Sequence, residues 1–90
     1  MSDRRLQVFH TVARMLSFTK AADVLKMTQP AVTFQIRQLE SEYNIRLFDR
    51  LHNKITLTDA GSLMFNYAEK IFDMYNEMEN SVKNKTNNVT

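Results

Sequence analysis

The stretch Thr28–Tyr43, TQPAVTFQIRQLESEY, constrains the fold most because it reads as one helix with a well-defined start. The hydroxyl of Thr28 can accept a hydrogen bond from a free first-turn amide, and Pro30 falls where a helix needs no donor. At about 100° per residue the apolar side chains form one narrow stripe. That stripe contains Val32, Ile36, Leu39 and Tyr43. The sequence therefore predicts a helix that buries this stripe in a core.

The remaining surface of this helix is polar and has a different character. Gln29, Thr33 and Arg37 line up on an adjoining stripe, and Phe34 lies roughly opposite the apolar stripe. A capped helix start with such side chains suits a duplex groove, because they can donate to base edges and the free amides can bind a phosphate. The alternative is an ordinary solvated face, which is common on surface helices. These residues alone leave both interpretations open.

The length and the amino-acid composition exclude several classes of site. Ninety residues make one small domain, and the lack of cysteine excludes disulfides, a thiolate nucleophile and a Cys-based zinc site. His10 and His52 are far apart and have no ligand-spaced partner, so we expect no metal and no cofactor. No apolar run approaches the length of a signal peptide core or a membrane span. We therefore expect a soluble cytoplasmic protein that does not bind a membrane.

The net charge of +2 conceals an asymmetry between the two parts of the chain. Residues 1–58 contain nine Lys and Arg against five Asp and Glu, a net charge of +4, whereas residues 59–90 contain three against five, a net charge of −2. The basic part includes the helix with the polar stripe. This distribution favours a polyanionic partner at that end of the molecule.

Two helices are predicted before the helix at Thr28–Tyr43. From Arg4 to about Leu16 apolar residues recur at three- and four-residue steps, which indicates an amphipathic helix. These apolar residues are Leu6, Phe9, Ala13 and Leu16. Residues 17–19 then supply a turn with an N-cap, and residues 20–25 form a short second helix. The two-residue link at 26–27 allows only a tight turn, so the spacing is that of a helix-turn-helix.

A short hairpin is predicted after the third helix. Asn44 tolerates the left-handed conformation that ends helices. Residues 46–50 and 54–57 then alternate like strands, and residues 51–53 connect them through the turn residue Asn53. The basic side chains of this wing cluster near its tip, where they could reach a minor groove or a phosphate, although plain solvation is the alternative. They are Arg50, His52 and Lys54.

A long last helix is predicted to begin at residues 58–61, with an N-cap and an acidic first turn. Beyond it apolar residues recur at alternating four- and three-residue steps, as in a heptad repeat. They are Met64, Ala68, Ile71, Tyr75, Met78 and Val82. A helix of this length cannot bury its whole stripe against so small a domain, so we expect a homodimer, with core packing as the alternative. The polar residues 83–90 are expected to form a frayed tail or linker, after a domain at 1–58 and a helix at 59–82.

The ordered string SFTKAADVLKMTQPAVTFQIRQLESEYNIRLFDRLHNKITLTDAG resembles the N-terminal DNA-binding domain of LysR-type transcriptional regulators. The most specific pieces are SFTKAA, TQPAVTFQI, LE, LFDR and LTDAG, in that order. The resemblance covers nearly the whole chain. It implies a mainly α fold, a winged helix-turn-helix with a small β-hairpin wing and a long C-terminal linker helix that forms a dimer. It also implies that a small-molecule effector acts only through a C-terminal domain that is absent from these residues.

The resemblance also implies roles for individual positions. On the third helix the residues that would face the major groove and its phosphates are Thr28, Gln29, Pro30, Thr33 and Arg37. Arg50 and Lys54 would serve the wing. The family often has glycine where this chain has Leu16 and Asn44. Position 34 varies across the family, so the resemblance says little about what it contacts.

The position of Phe34 on the third helix gives its own expectation. Because it lies beside Thr33 and Arg37, we expect the ring to project into the groove and to pack on a thymine methyl or a sugar edge. The alternative is that a neighbouring side chain or the wing covers part of the ring. A stability loss on the scale of a core truncation after Phe34→Ala would show that the ring is buried.

The leading hypothesis is a dimeric, sequence-specific module of a bacterial transcription regulator that binds double-stranded DNA. The helix at 28–43 would lie in the major groove, and the wing at 46–57 would lie at the minor groove or the phosphates. The alternative is a winged-helix module for protein interaction and dimerisation that does not bind nucleic acid. An enzyme is not expected, because the chain has no nucleophile-base constellation, no glycine-rich phosphate loop and no paired carboxylates in a plausible pocket.

Overall fold

The computed structural model describes residues 4–87, with side chains described through Lys85. The elements follow in chain order: α1 Arg4–Met15, α2 Phe18–Leu25, α3 Gln29–Tyr43, β1 Phe48–Leu51, β2 Lys54–Leu57 and α4 Asp59–Asn87. This is the predicted architecture, a mainly helical winged helix-turn-helix with a two-stranded hairpin and a long C-terminal helix.

The core lies where α1, α2 and α3 meet, and the start of the hairpin closes it. Phe9 and Ala13 of α1 are buried as predicted, but so are Val8 and Val12, which the predicted apolar positions did not include. The buried surface of α1 is wide because α2 and α3 pack against it, and α4 packs against it as well. The other buried apolar side chains of the core cluster are Phe18, Ala21, Ala22, Val32, Ile36, Leu39, Leu47 and Phe48.

The predicted N-caps of α2 and α3 are present. The Thr28 hydroxyl accepts from the Ala31 amide at 3.2 Å, and the Ser17 hydroxyl accepts from the Lys20 amide at 3.1 Å. The second bond starts α2 at Phe18, two residues before the predicted start. Since a cap side chain bonds the amide two or three residues ahead, the residues between it and that amide are already helical.

Left-handed residues end the first three helices. Asn44 has φ 54° and ψ 49°, which confirms its predicted role, and Lys26 and Leu16 have φ values of 56° and 49°. Leu16 therefore lies beyond the end of α1, and its side chain is half exposed, so the predicted apolar position at the end of this helix is wrong. The physical reason is the reversal of the backbone, which turns the side chain off the buried face. A left-handed conformation costs a residue with a Cβ roughly 1–2 kcal/mol, so tertiary packing holds this turn.

The prediction that Tyr43 joins the buried stripe of α3 is also wrong. Val32, Ile36 and Leu39 are buried, whereas Tyr43 is 55% exposed. Tyr43 is the last residue of α3, where it lines an apolar surface groove together with Leu6 and Ile45, among other residues, and is not covered by a neighbouring helix.

The hairpin pairs antiparallel, with Phe48 opposite Leu57 and Leu51 opposite Lys54. His52 and Asn53 form its two-residue turn, and both have positive φ, at 53° and 61°, as type I′ turns require. The first strand begins at Phe48 and ends at Leu51, so the predicted strand at 46–50 is displaced by one or two residues. Residues 46 and 47 precede the ladder.

The last helix follows the hairpin almost directly, since only Thr58 separates β2 from α4. The Thr58 amide donates to the Leu47 carbonyl at 3.1 Å, and its hydroxyl donates to the Arg46 carbonyl at 2.5 Å. The same hydroxyl accepts from the Gly61 amide at 2.9 Å, which caps α4 as predicted. Thr58 therefore fixes the junction of wing and helix through hydrogen bonds both to the segment before β1 and to the first turn of α4.

Aromatic packing fixes α4 against α1. The imidazole of His10 stacks on Phe65 with ring centroids 5.1 Å apart and an interplanar angle of 10°, and it meets Phe72 edge-on at 5.1 Å. Glu69, between them on the same face of α4, hydrogen-bonds the ring nitrogen Nε2 of His10. These contacts hold about two turns of α4 on the domain.

Residues 83–87, the first part of the predicted polar tail or linker, are helical and continue α4 to Asn87. No glycine or proline follows Gly61 in the sequence, so nothing in the polar stretch stops a helix once it has been nucleated. The rest of the predicted tail, 88–90, lies outside the described residues.

Candidate nucleic-acid interface

The predicted polar stripe of α3 lies on the surface. Gln29 and Arg37 are exposed and Thr33 is partly exposed. They line one shallow hollow that is formed entirely by α3 side chains, and we call this surface the contact face. The contact face consists of Gln29, Pro30, Thr33, Phe34 and Arg37. Thr28 is exposed one residue before it, with its hydroxyl engaged as the N-cap.

The wing lies beside the contact face and extends it. Arg50 lines a hollow that includes Thr33 and Arg37, and it lines a second hollow that includes Gln29 and Lys54. The structure thus brings together predicted site residues that are up to 25 positions apart in the sequence. Helix and wing form the two sides of one continuous groove.

Arg50 is oriented by a contact with the core. Its guanidinium carbon lies 5.0 Å from the centroid of the Phe18 ring, and Phe18 in turn packs edge-on against Phe48 at 5.6 Å. A cation held over a buried ring loses less conformational freedom when it binds an anion. The guanidinium is therefore positioned beside α3 before any ligand binds.

The groove between α3 and the wing is predominantly basic. Arg37, Arg46 and Arg50 line it together with one carboxylate, that of Glu40. The Glu40 carboxylate accepts a hydrogen bond from the Leu47 amide at 2.8 Å, so a structural contact already engages it. A planar guanidinium group can bind two phosphate oxygens at once, so this arrangement suits a polyanion that carries phosphate groups.

Several residues of this surface were not among the site residues predicted from the sequence. Ser17 and Thr19 at the start of α2 and Asn53 at the wing turn line the same hollow as Gln29 and Lys54. Arg46, which was assigned only to a strand, lines the groove. The N-cap at Ser17 marked a second helix start, but only the tertiary crossing of α2 and α3 places that start beside the contact face.

Phe34 points away from the core, as predicted. Phe34 is 58% exposed, and the hollow that its side chain lines includes no side chain from the wing. The wing therefore does not line this hollow, whereas partial cover of the ring by a neighbouring α3 side chain stays an alternative.

The exposed apolar surface of α4 follows a different stripe from the predicted one. Ala68 is fully buried in the chain itself and Met64 packs against the core, while Tyr75 is partly buried. The apolar stripe of α4 consists of Leu63, Tyr67, Ile71, Met74, Met78 and Val82, each at least 41% exposed. Three of the predicted positions, Ile71, Met78 and Val82, lie on it. The others differ because α1 covers the side of α4 that carries Phe65 and Phe72.

Other kinds of site are lacking within residues 4–87. In this part of the chain no three His, Cys, Asp or Glu side chains come together in a way that could hold a metal ion. None of the helices described there has the length and apolar character needed to cross a membrane.

Comparison with known proteins decides the family. The sequence model of the bacterial regulatory helix-turn-helix proteins of the lysR family matches residues 4–62, which cover α1 to the start of α4. The chain belongs to the LysR family. The matched residues include the contact face and the wing, so the family assignment rests on the same residues that form the groove.

Individual LysR-family proteins agree with this assignment over most of the chain. The RuBisCO operon transcriptional regulator of Allochromatium vinosum is 47% identical over 79 residues, which are 88% of this chain and 26% of that protein. The BenM DNA-binding domain, solved in complex with benA site 1 DNA, has a TM-score of 0.89 and 34% identity, and the match covers 98% of this chain and 99% of that chain. The CbnR DNA-binding domain, also solved with DNA, has a TM-score of 0.83 and 29% identity over 96% and 99% of the two chains. This chain spans about a quarter of the length of the curated relatives it matches.

Proposed function

We propose that this chain is a sequence-specific, double-stranded DNA-binding module of a bacterial transcription regulator, which works in the cytoplasm and has no enzymatic activity. The contact face of α3 enters the major groove, and the wing lies at the minor groove or the flanking phosphates. The observation that carries the proposal is the continuous basic groove bounded by Arg37 on α3 and Arg50 on the wing. The DNA complexes of two domains with this fold support it.

The contact face divides the work between base edges and backbone. Gln29 lies in the first turn of α3, where its amide can bond both N6 and N7 of an adenine. The Gln29 amide of that turn and the Thr19 hydroxyl of α2 face a phosphate. Arg37, two turns further on, shares its hollow with Arg46 and Arg50 and is better placed for the backbone. Sequence would thus be read at the helix start and affinity supplied along the groove.

We infer that the functional unit is a homodimer formed through the apolar stripe of α4. The helix has 29 residues, and His10 of α1 holds only the part near Phe65 and Phe72. Met74 and Met78 follow Phe72 along the helix, beyond these contacts, and both are at least half exposed. An exposed apolar stripe whose residues follow one another at three- and four-residue steps fits a second copy of the same helix. Any small-molecule effector would act through the C-terminal region that the relatives have and this chain does not match.

The test of the proposed function is the salt dependence of duplex binding. Duplexes selected from a random pool should bind with an affinity that falls linearly with salt concentration on logarithmic axes, with a slope that reflects the number of phosphate contacts. Fluorescence anisotropy across a salt series measures that slope. If the chain enriches no duplex from the pool, the proposal is wrong and the protein-interaction alternative is favoured.

Gln29→Ala and Arg37→Ala should weaken DNA binding in different ways. Loss of Gln29 removes a base contact, so discrimination at one base pair should fall by ~1–3 kcal/mol. Loss of Arg37 removes a phosphate contact, so all duplexes should bind more weakly and the salt slope should become shallower by about one unit. Competition binding against single-base variants of the selected duplex, repeated at several salt concentrations, separates the two effects.

The matched control for this pair is Gln38→Ala, an exposed glutamine on the same helix outside the contact face. It should bind with wild-type affinity and specificity. If both test variants stay folded and also bind like the wild type, the contact face is not the DNA-binding surface.

A further inference from the structure

Phe34 is the one large apolar side chain on the contact face. Its residue is 58% exposed although the neighbours in the same hollow include Gln29, Thr33 and Arg37. The other apolar residue there is Pro30, one helical turn before it, so the two lie side by side on α3. An aromatic ring among polar donors gains nothing from solvent, and its packing does not support the core. Its position therefore leaves the exposed part of the ring available to a ligand.

The contact face has an order across the helix. Gln29, Thr33 and Arg37 line hollows that Arg50 of the wing also lines, whereas the hollow with Phe34 is formed by α3 alone. Moving away from the wing, one meets first the polar stripe and then the apolar pair. Phe34 thus lies beside the side chains that donate hydrogen bonds, on their side away from the wing.

Among the groups on the base edges of the major groove, only one can pack favourably against an apolar ring. The nitrogen and oxygen atoms there need donors or acceptors, and a phenyl ring over them would leave them unsatisfied. The only apolar group on a base edge is the 5-methyl of thymine. We propose that Phe34 is a specificity-determining residue that packs on a thymine methyl, on the side of the polar stripe away from the wing. This proposal rests on the proposed function and names one base that the module prefers.

Deoxyuridine tests the proposal, because it differs from thymidine only by that methyl. Each thymine of a duplex selected from a random pool is replaced singly by deoxyuridine, and binding is measured for wild type and for Phe34→Ala. The wild type should lose affinity at one or two positions by about fourfold, as expected for one buried methyl group. The Phe34→Ala variant should show no loss at those positions and should melt close to the wild-type temperature.

A control variant makes the result specific to this ring. Val24→Ala, which truncates an exposed apolar residue of α2 outside the contact face, should keep the wild-type response to deoxyuridine. A wild type that is insensitive at every thymine would overturn the proposal, as would a response that Val24→Ala abolishes or that Phe34→Ala retains. In each of these cases salt-dependent duplex binding would persist, whereas failure of the proposed function would remove that binding as well.

Discussion

Ile71→Asp is expected to leave the chain monomeric. Ile71 is 41% exposed near the middle of the apolar stripe, between Tyr67 and Met74. Around a two-fold axis the same position of both copies lies in one interface, so the variant would desolvate two carboxylates at once. In the proposed complex each monomer would read one half-site, so loss of the second contact should lower the affinity for a two-half-site duplex by roughly 10²–10⁴-fold. Weak binding to a single half-site should remain.

Sedimentation over a range of concentrations measures the first effect, and anisotropy on one- and two-half-site duplexes measures the second. The matched control is Asn76→Asp, which adds the same charge to an exposed residue of α4 outside the apolar stripe. This variant should stay dimeric. A wild-type chain that sediments as a monomer at high concentration would refute the dimer, and a dimeric Ile71→Asp would place the interface elsewhere.

Gly61→Ala should destabilise the fold although it replaces glycine inside a helix. A Cβ at this position would lie 2.2 Å from the Leu47 carbonyl oxygen and 3.0 Å from Cδ2 of Leu57. The first atom is backbone and is already bound by the Thr58 amide, so it cannot move aside without loosening the junction of wing and α4. We expect a net loss of roughly 1–3 kcal/mol from overpacking. Helix propensity alone gives the opposite sign, a gain of about 1 kcal/mol.

Urea denaturation of the wild type and of Gly61→Ala shows whether the substitution lowers or raises the free energy of unfolding. Ser62→Ala is the control, because it changes an exposed residue of the same helical turn and should be nearly neutral. Equal or higher stability of Gly61→Ala would show that α4 does not approach Leu47 as closely as described.

Local chemistry made the element starts and stops predictable. Thr28 and Asn44 act on neighbouring backbone groups, so their roles as N-cap and left-handed end could be read directly from the sequence. The turn at His52 and Asn53 was harder to place because it lacks the glycine that usually marks a type I′ turn. Arg46 and Leu47 continue the alternation of the strand although the ladder begins after them.

The errors arose where a distant element decides burial. Periodicity could not tell which side of α4 faces its own domain, because His10, more than fifty residues earlier, covers that side. For the same reason Ala68 was assigned to an interface with a second copy although it is buried. The contact face was predictable since all its residues lie on one helix. Its extension by Ser17 and Thr19 depends on how two helices cross.

The tied junction at Thr58 has a consequence for DNA geometry. With a single residue between wing and α4, and with bonds to the carbonyls of Leu47 and Arg46, the helix cannot turn independently of the contact face and the wing. In the proposed homodimer, two such units joined along α4 would hold their contact faces at a fixed distance. Each inserted base pair displaces the second half-site by about 3.4 Å and turns it by about 35°. A flexible linker would absorb that change, whereas this junction would convert it into strain, so the DNA would have to bend or would lose its contacts with one monomer.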